Sequence, residues 1–194
     1  MTKPESALSA LPEAIFSLVL AVPTSHETTA DNPQARAHTI ARAAARKASM
    51  LAGTLSLPPG LLGWATVLPE LIGVWKIQAQ MVADIAAVYG QPSQNMGREQ
   101  MLYCLFKHVS AQLFRDVAVR IGERVVIQQM SGKVLQAIAQ QLGAKLTQTL
   151  VSKGAARFVP MVGALGVGAY AYFDTIQVAK NAESLFAERI TVND

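Results

Sequence analysis

Apolar residues recur every third or fourth position along most of this chain, and strict alternation is almost absent. That period belongs to helices with one buried face. A first helix is predicted over Ser6 to Ala21, with a kink or late start at Pro12, followed by a polar loop from Pro23 to Asn32. Pro33 suits the first turn of a second helix, with Asn32 or Asp31 as cap, running to about Ala52 and stopping near Gly53. Within it His38, Arg42 and Arg46 are spaced by four and point one way, and Ala41, Ala44, Ala45 and Ala48 permit close packing beside them. After the Pro58-Pro59-Gly60 break, Leu71, Val74, Trp75, Gln78, Val82, Ile85 and Ala86 follow a 3.6-residue period, with Gly90 as the C′ residue. A long helix is expected from Arg98 to Ile121, on the stripe Met101, Leu102, Leu105, Val109, Leu113 and Val117. Another follows from about Glu123 to Ser152, and a last one from Val159 or Pro160 to Arg189. Val125-Val126-Ile127 is the best strand candidate and is too short to outweigh its surroundings.

The predicted fold is therefore all-α, a compact bundle of six or seven helices. Two apolar, hairpin-like segments containing Gly and Pro are expected at its centre. One carries Pro59, Gly60 and Gly63, the other Pro160, Gly163, Gly166 and Gly168. Residues 1–32 form an N-terminal helix and acidic loop, and residues 33–194 the main helical body, within a single domain overall. Each apolar segment meets an acid and then, six residues on, a lysine: Glu70 with Lys76, and Asp174 with Lys180. These four are candidates for a buried polar pairing, because a carboxylate removed from water must find a partner.

The second segment has no charge from Phe158 to Phe173. As a helix it spans about 24 Å, short of the hydrocarbon thickness of about 30 Å. A permanent span, a re-entrant hairpin in one leaflet and the dry centre of a soluble bundle stay open, and length favours the last. Spacings of three to five residues spread the three glycines over one broad surface, which lets another helix approach closely.

Charge sharpens the picture. Net charge is +4, but residues 33–153 carry thirteen Lys and Arg against five Asp and Glu, while residues 1–32 hold one base and four acids. A basic middle suits an anionic partner, and Arg36, Arg42, Arg46 and Lys47 are its candidate contacts with a membrane or a protein. The plainer reading is a set of solvated helix faces. A lone cysteine excludes an internal disulfide framework and fits a reducing compartment. Glu5, Pro12 and Glu13, against a lone Lys3, do not make the positive start of a secretory leader.

Candidate chemistry is sparse. Cys104 and His108 are four apart, near enough for a thiol and its base, but no third group is evident and a buried structural cysteine is the simpler reading. His26, His38 and His108 are dispersed and there is no paired-cysteine motif, so no metal and no cofactor is expected. Ser131-Gly132-Lys133 lacks the upstream glycine of a phosphate loop. Basic residues are not interleaved with aromatics, which argues against specific nucleic-acid binding.

The stretch from Leu57 to Gly90, with Pro59-Gly60, Glu70, Gln78, Gln80 and Tyr89-Gly90, resembles the first signature of the EcsC family. The stretch from Arg157 to Phe186, with Pro160, Gly163, Gly166 and Gly168 ahead of an amphipathic helix, resembles the second. Tyr170 and Tyr172 depart from it, standing where small residues are usual, which puts tight helix approach there in question. The resemblance covers about residues 45–190. It implies a bacterial helical protein with a membrane-linked role and supplies no reaction. The expectation is a non-enzymatic protein at the cytoplasmic surface of the inner membrane, or on a membrane-associated transport or secretion partner. An adaptor or immunity-like module binding a toxin is the alternative. A hydrolase-like enzyme using Glu70, Asp174 or Cys104 stands behind both.

Overall fold

The computed structural model describes residues 10–55, 63–91, 96–114, 118–121, 124–127, 130–153 and 160–187. Among them are six helices: α1 (Leu11–Leu20), α2 (Pro33–Leu55), α3 (Gly63–Val88), α4 (Arg98–Phe106), α5 (Gly132–Lys153) and α6 (Pro160–Ala187). The chain is an all-α bundle. The one local exception among the described residues is an antiparallel pair of four-residue strands, β1 (Ala118–Ile121) and β2 (Arg124–Ile127), in which Ala118 faces Ile127 and Ile121 faces Arg124.

Helix ends follow local chemistry. Pro12 sits in the first turn of α1, where its missing N–H breaks no helical bond. Asn32 caps α2, its Oδ1 accepting from Ala35 N–H at 3.0 Å. At the end of α3, Gly90 takes φ of 76° and Gln91 N–H returns to Ala86 C=O at 2.8 Å, closing the helix with a left-handed residue as the sequence predicts. Gln100 reaches back from α4 to accept from Gly97 N–H at 3.0 Å.

Helices α2, α3 and α6 pack mutually, α4 lies against α3 and α6, and α1 pairs with α5 while touching α3 and α4. The buried face of α2 is made of alanines alone: Ala37, Ala41, Ala44, Ala45, Ala48 and Ala52. Bulk comes from α3 and α4, where Trp75 and Phe106 meet edge to face at 5.4 Å and Tyr103 packs on Phe114 at 5.8 Å. Leu11, Ile15 and Val19 of α1 belong to this same core.

Two expectations are corrected. The helix predicted to reach Ile121 stops at Phe106, and turns follow to Phe114. Every residue from Gln100 to Phe106 is buried, so α4 is enclosed on all sides and an apolar stripe does not measure its length. The helix expected from Glu123 begins at Gly132 instead, behind Ser131, because Arg124–Ile127 is the second strand. Pro59 and Gly60 lie outside the described residues, while Gly63 opens α3 and Pro160 opens α6.

Gly166 and Gly168 of α6 do not share one surface, and the surroundings of Gly163 lie outside the described residues. Gly168 is buried, and a methyl added there would stand 3.1 Å from Ser49 C=O, whereas nothing lies within 4 Å at exposed Gly166. Two residues on a helix are turned about 200° from each other. Tyr170 is exposed and does not obstruct the α2–α6 approach, which falls on Gly168 and Ala171. Gly168→Val is expected to destabilise the fold by about 1–3 kcal/mol, and Gly166→Ala to stabilise it by up to about 1 kcal/mol. Urea denaturation of the two variants beside the parent gives the sign of each.

Candidate functional site

The acid that ends the uncharged run is the centre of the main buried polar cluster. Asp174 projects from α6 between α3 and the turn after α4. Gln78 Nε2–H donates to its Oδ2 at 2.7 Å, and His108 Nε2 lies 2.8 Å from its Oδ1. Gln78, itself buried on α3, also donates to Thr175 Oγ1 at 3.1 Å, and the Thr175 hydroxyl donates to Ala171 C=O at 2.7 Å. The second imidazole nitrogen, Nδ1 of His108, is buried with no hydrogen-bond partner among the described residues. A histidine serving as general base must present its free nitrogen to substrate. Here that nitrogen is sealed in protein, and the cluster joins three elements.

Asp174 thus finds His108 and Gln78 rather than Lys180, which is exposed and lies near Glu183. Lys76 is exposed on α3, and the Glu70 side chain lies outside the described residues. Asp84 is held by Ser25 Oγ–H at 2.7 Å and Gln80 Nε2–H at 2.9 Å. Sequence reasoning missed His108 as the partner. The available signal was a polar residue, Gln78, on an otherwise apolar helix face.

Cys104 is wholly buried, and removal from water pushes its thiol well above the usual range, so it stays protonated at neutral pH. Its own carbonyl accepts from Asn181 Nδ2–H at 3.0 Å, another tie between α4 and α6. Among the described residues no group of three or more His, Cys, Asp and Glu is placed to hold a metal ion.

The surface candidates divide. Arg36 is exposed and engages Glu27 through two side-chain hydrogen bonds, one of them 2.9 Å from Nε. This pair holds the Glu27 carboxyl below its usual range. Lys47 shares that side of α2, facing α3. Arg42 and Arg46 are exposed on the other flank, beside α6, and make no ion pair with a described residue. The four bases therefore do not form one face: on a helix, Arg36 and Lys47 nearly coincide while Arg42 and Arg46 lie about 80–140° away. The acidic loop is anchored to the bundle, through Glu27 to Arg36, Ser25 to Asp84, and Ala30 N–H to Val88 C=O at 3.1 Å.

The described parts of the two signature stretches, α3 and α6, pack together. The model of the EcsC protein family matches residues 5–191, nearly the whole chain. The chain belongs to the EcsC family. No curated protein and no solved structure matches it. In this EcsC protein one helix among the described residues is long and apolar enough to cross a membrane by length and composition, at Leu71–Val88 with mean hydropathy 1.3, and 61% of that window is buried inside the fold.

Asp174→Ala strands His108 and Gln78 together and is expected to cost about 2–4 kcal/mol, read by urea denaturation. A second outcome follows from the raised thiol. In the folded protein Cys104 should resist a disulfide reagent at pH 8, and it should react fully once denaturant is added.

Proposed function

We propose that this EcsC protein is a non-enzymatic helical protein that acts at the cytoplasmic surface of the inner membrane, peripheral to the bilayer, directly or on a membrane-associated partner. The observation that carries the reading is the outer face of the α2–α6 pair. Two ties fix these helices antiparallel: Gly168 against Ser49, and His38 Nε2 at 3.9 Å from Glu183. Helical geometry then sets Arg42, Arg46 and Met50 within about 80° of one another on the side of α2 turned away from its buried alanines, and Phe173 and Gln177 about 40° apart on the side of α6 turned away from Gly168. Met50 is 71% exposed and Phe173 69%, with Tyr170 close by at 60%.

Large apolar side chains left in water cost free energy, and here they stand next to two cations without acid partners among the described residues. An anionic bilayer answers both. Each arginine contributes about 1 kcal/mol near such a surface, while Met50 and Phe173 enter the headgroup boundary. The sealed His108, the protonated Cys104 and the anchored acidic loop give no comparable support to an enzyme or to docking through Glu27–Asp31.

Flotation with vesicles containing phosphatidylglycerol tests this. The parent should float at low salt and sink progressively as salt rises. Arg42→Glu with Arg46→Glu should lower the bound fraction by about tenfold or more, and Phe173→Ser should weaken binding with less effect on its salt dependence. No flotation by a well-folded parent at low salt would overturn the membrane reading.

A further inference from the structure

The opposite flank of α2 borders a cavity of about 440 Å³ between α2 and α3, within the range of about 300–1,000 Å³ common for small-molecule sites. Helices α2 and α3 are antiparallel here, as the Leu51 side chain against Gly73 and the Ala30–Val88 hydrogen bond establish. That register sets Lys47 opposite Lys76 at one end of the groove. Both are exposed, both line the cavity, and neither has an acid partner among the described residues. At the far end Glu27 is paired with Arg36, and Asp84 accepts hydrogen bonds from Ser25 and Gln80. Between the ends the walls are apolar, with Ile40, Ala44, Ile77 and Met81.

Two like charges lining one groove repel, and an anion between them turns that repulsion into attraction. A phosphate alone satisfies the lysines but has no use for the apolar wall. An amphiphile satisfies both. We propose that the α2–α3 groove binds one anionic phospholipid, its headgroup phosphate between Lys47 and Lys76 and the first carbons of its chains along Ile40, Ile77 and Met81. The choice of a lipid as the source of that phosphate rests on the membrane-surface reading. The site itself does not include Arg42, Arg46 or Phe173 and fails or stands independently of them.

The test uses the full chain and dihexanoyl phosphatidic acid kept monomeric, titrated by calorimetry. A single saturable site is expected. Lys47→Gln with Lys76→Gln should weaken it by about tenfold or more, with an unchanged melting temperature because both side chains are exposed. Arg42→Glu with Arg46→Glu should leave it within about twofold while lowering flotation by about tenfold or more. Equal binding by the folded double-lysine variant would overturn the site. Inorganic phosphate displacing the lipid at equal concentration would overturn the lipid assignment, since the apolar wall would then contribute nothing. No heat with the parent would overturn the proposal, even if flotation persisted.

Discussion

The bundle depends on how closely α2 and α6 approach. Six alanines form the buried face of α2, and Gly168 brings α6 to the backbone at Ser49. Side chains this small bury little area, so the contact gains through proximity of backbone to backbone and the many weak dispersion contacts that follow. It is also unforgiving, because no flexible side chain lies between Gly168 and Ser49 C=O to move aside. Close packing of this kind leaves α3 and α4 to supply volume, and they do so with Trp75, Phe106, Tyr103 and Met101.

A smooth seam has a weakness: it sets distance better than register. Interdigitating large residues fix the sliding position of two helices, whereas alanine and glycine permit several. The polar ties of this protein supply what the seam lacks. Gln78, Asp174 and His108 join α3, α6 and the turn after α4 at one level, and Asn181 joins α6 to the Cys104 carbonyl near another. A shift of α6 by one residue turns it about 100° and strips Asp174 of both partners. The carboxylate's desolvation cost is offset only in the correct register, so the cluster contributes specificity of packing as well as stability. This gives a structural reason for an acid to interrupt so apolar a helix.

Much of this was legible from the residues. Pro33 and Asn32 opened α2, Gly90 closed α3 and Pro160 opened α6, because capping chemistry is local and independent of what the helix packs on. The failures came where tertiary surroundings outweigh local pattern. Leu105, Val109 and Leu113 continue a helical stripe, yet the chain turns after Phe106, with His108 bound to Asp174 and Ser110 accepting from Lys145 Nζ–H at 3.0 Å. Those partners lie in sequence 66 and 35 residues away, beyond any window of periodicity. The paired strands were half legible: Val125-Val126-Ile127 stood out, while its partner Ala118–Ile121 carries too few β-branched residues to show as a strand alone. Of the candidate site, basic α2 was found as a composition, but its division into two flanks depended on which neighbours α2 acquired.

The same division bears on how a chain this apolar can meet a membrane. Leu71–Val88 passes for a span by composition, but its side chains are largely committed to α2, α4 and α6. Exposing them to lipid exchanges protein contacts for acyl contacts with little hydrophobic gain, and it separates Gln78 from Asp174 in surroundings that offer the carboxylate no water. The outer residues face no such exchange. Met50 and Phe173 are already in water, and Arg42 and Arg46 already lack described partners, so contact with an anionic surface adds interactions and breaks none. For a membrane role of the proposed kind, peripheral contact by the intact bundle is therefore favoured over insertion of its core helix, and the polar cluster is the reason.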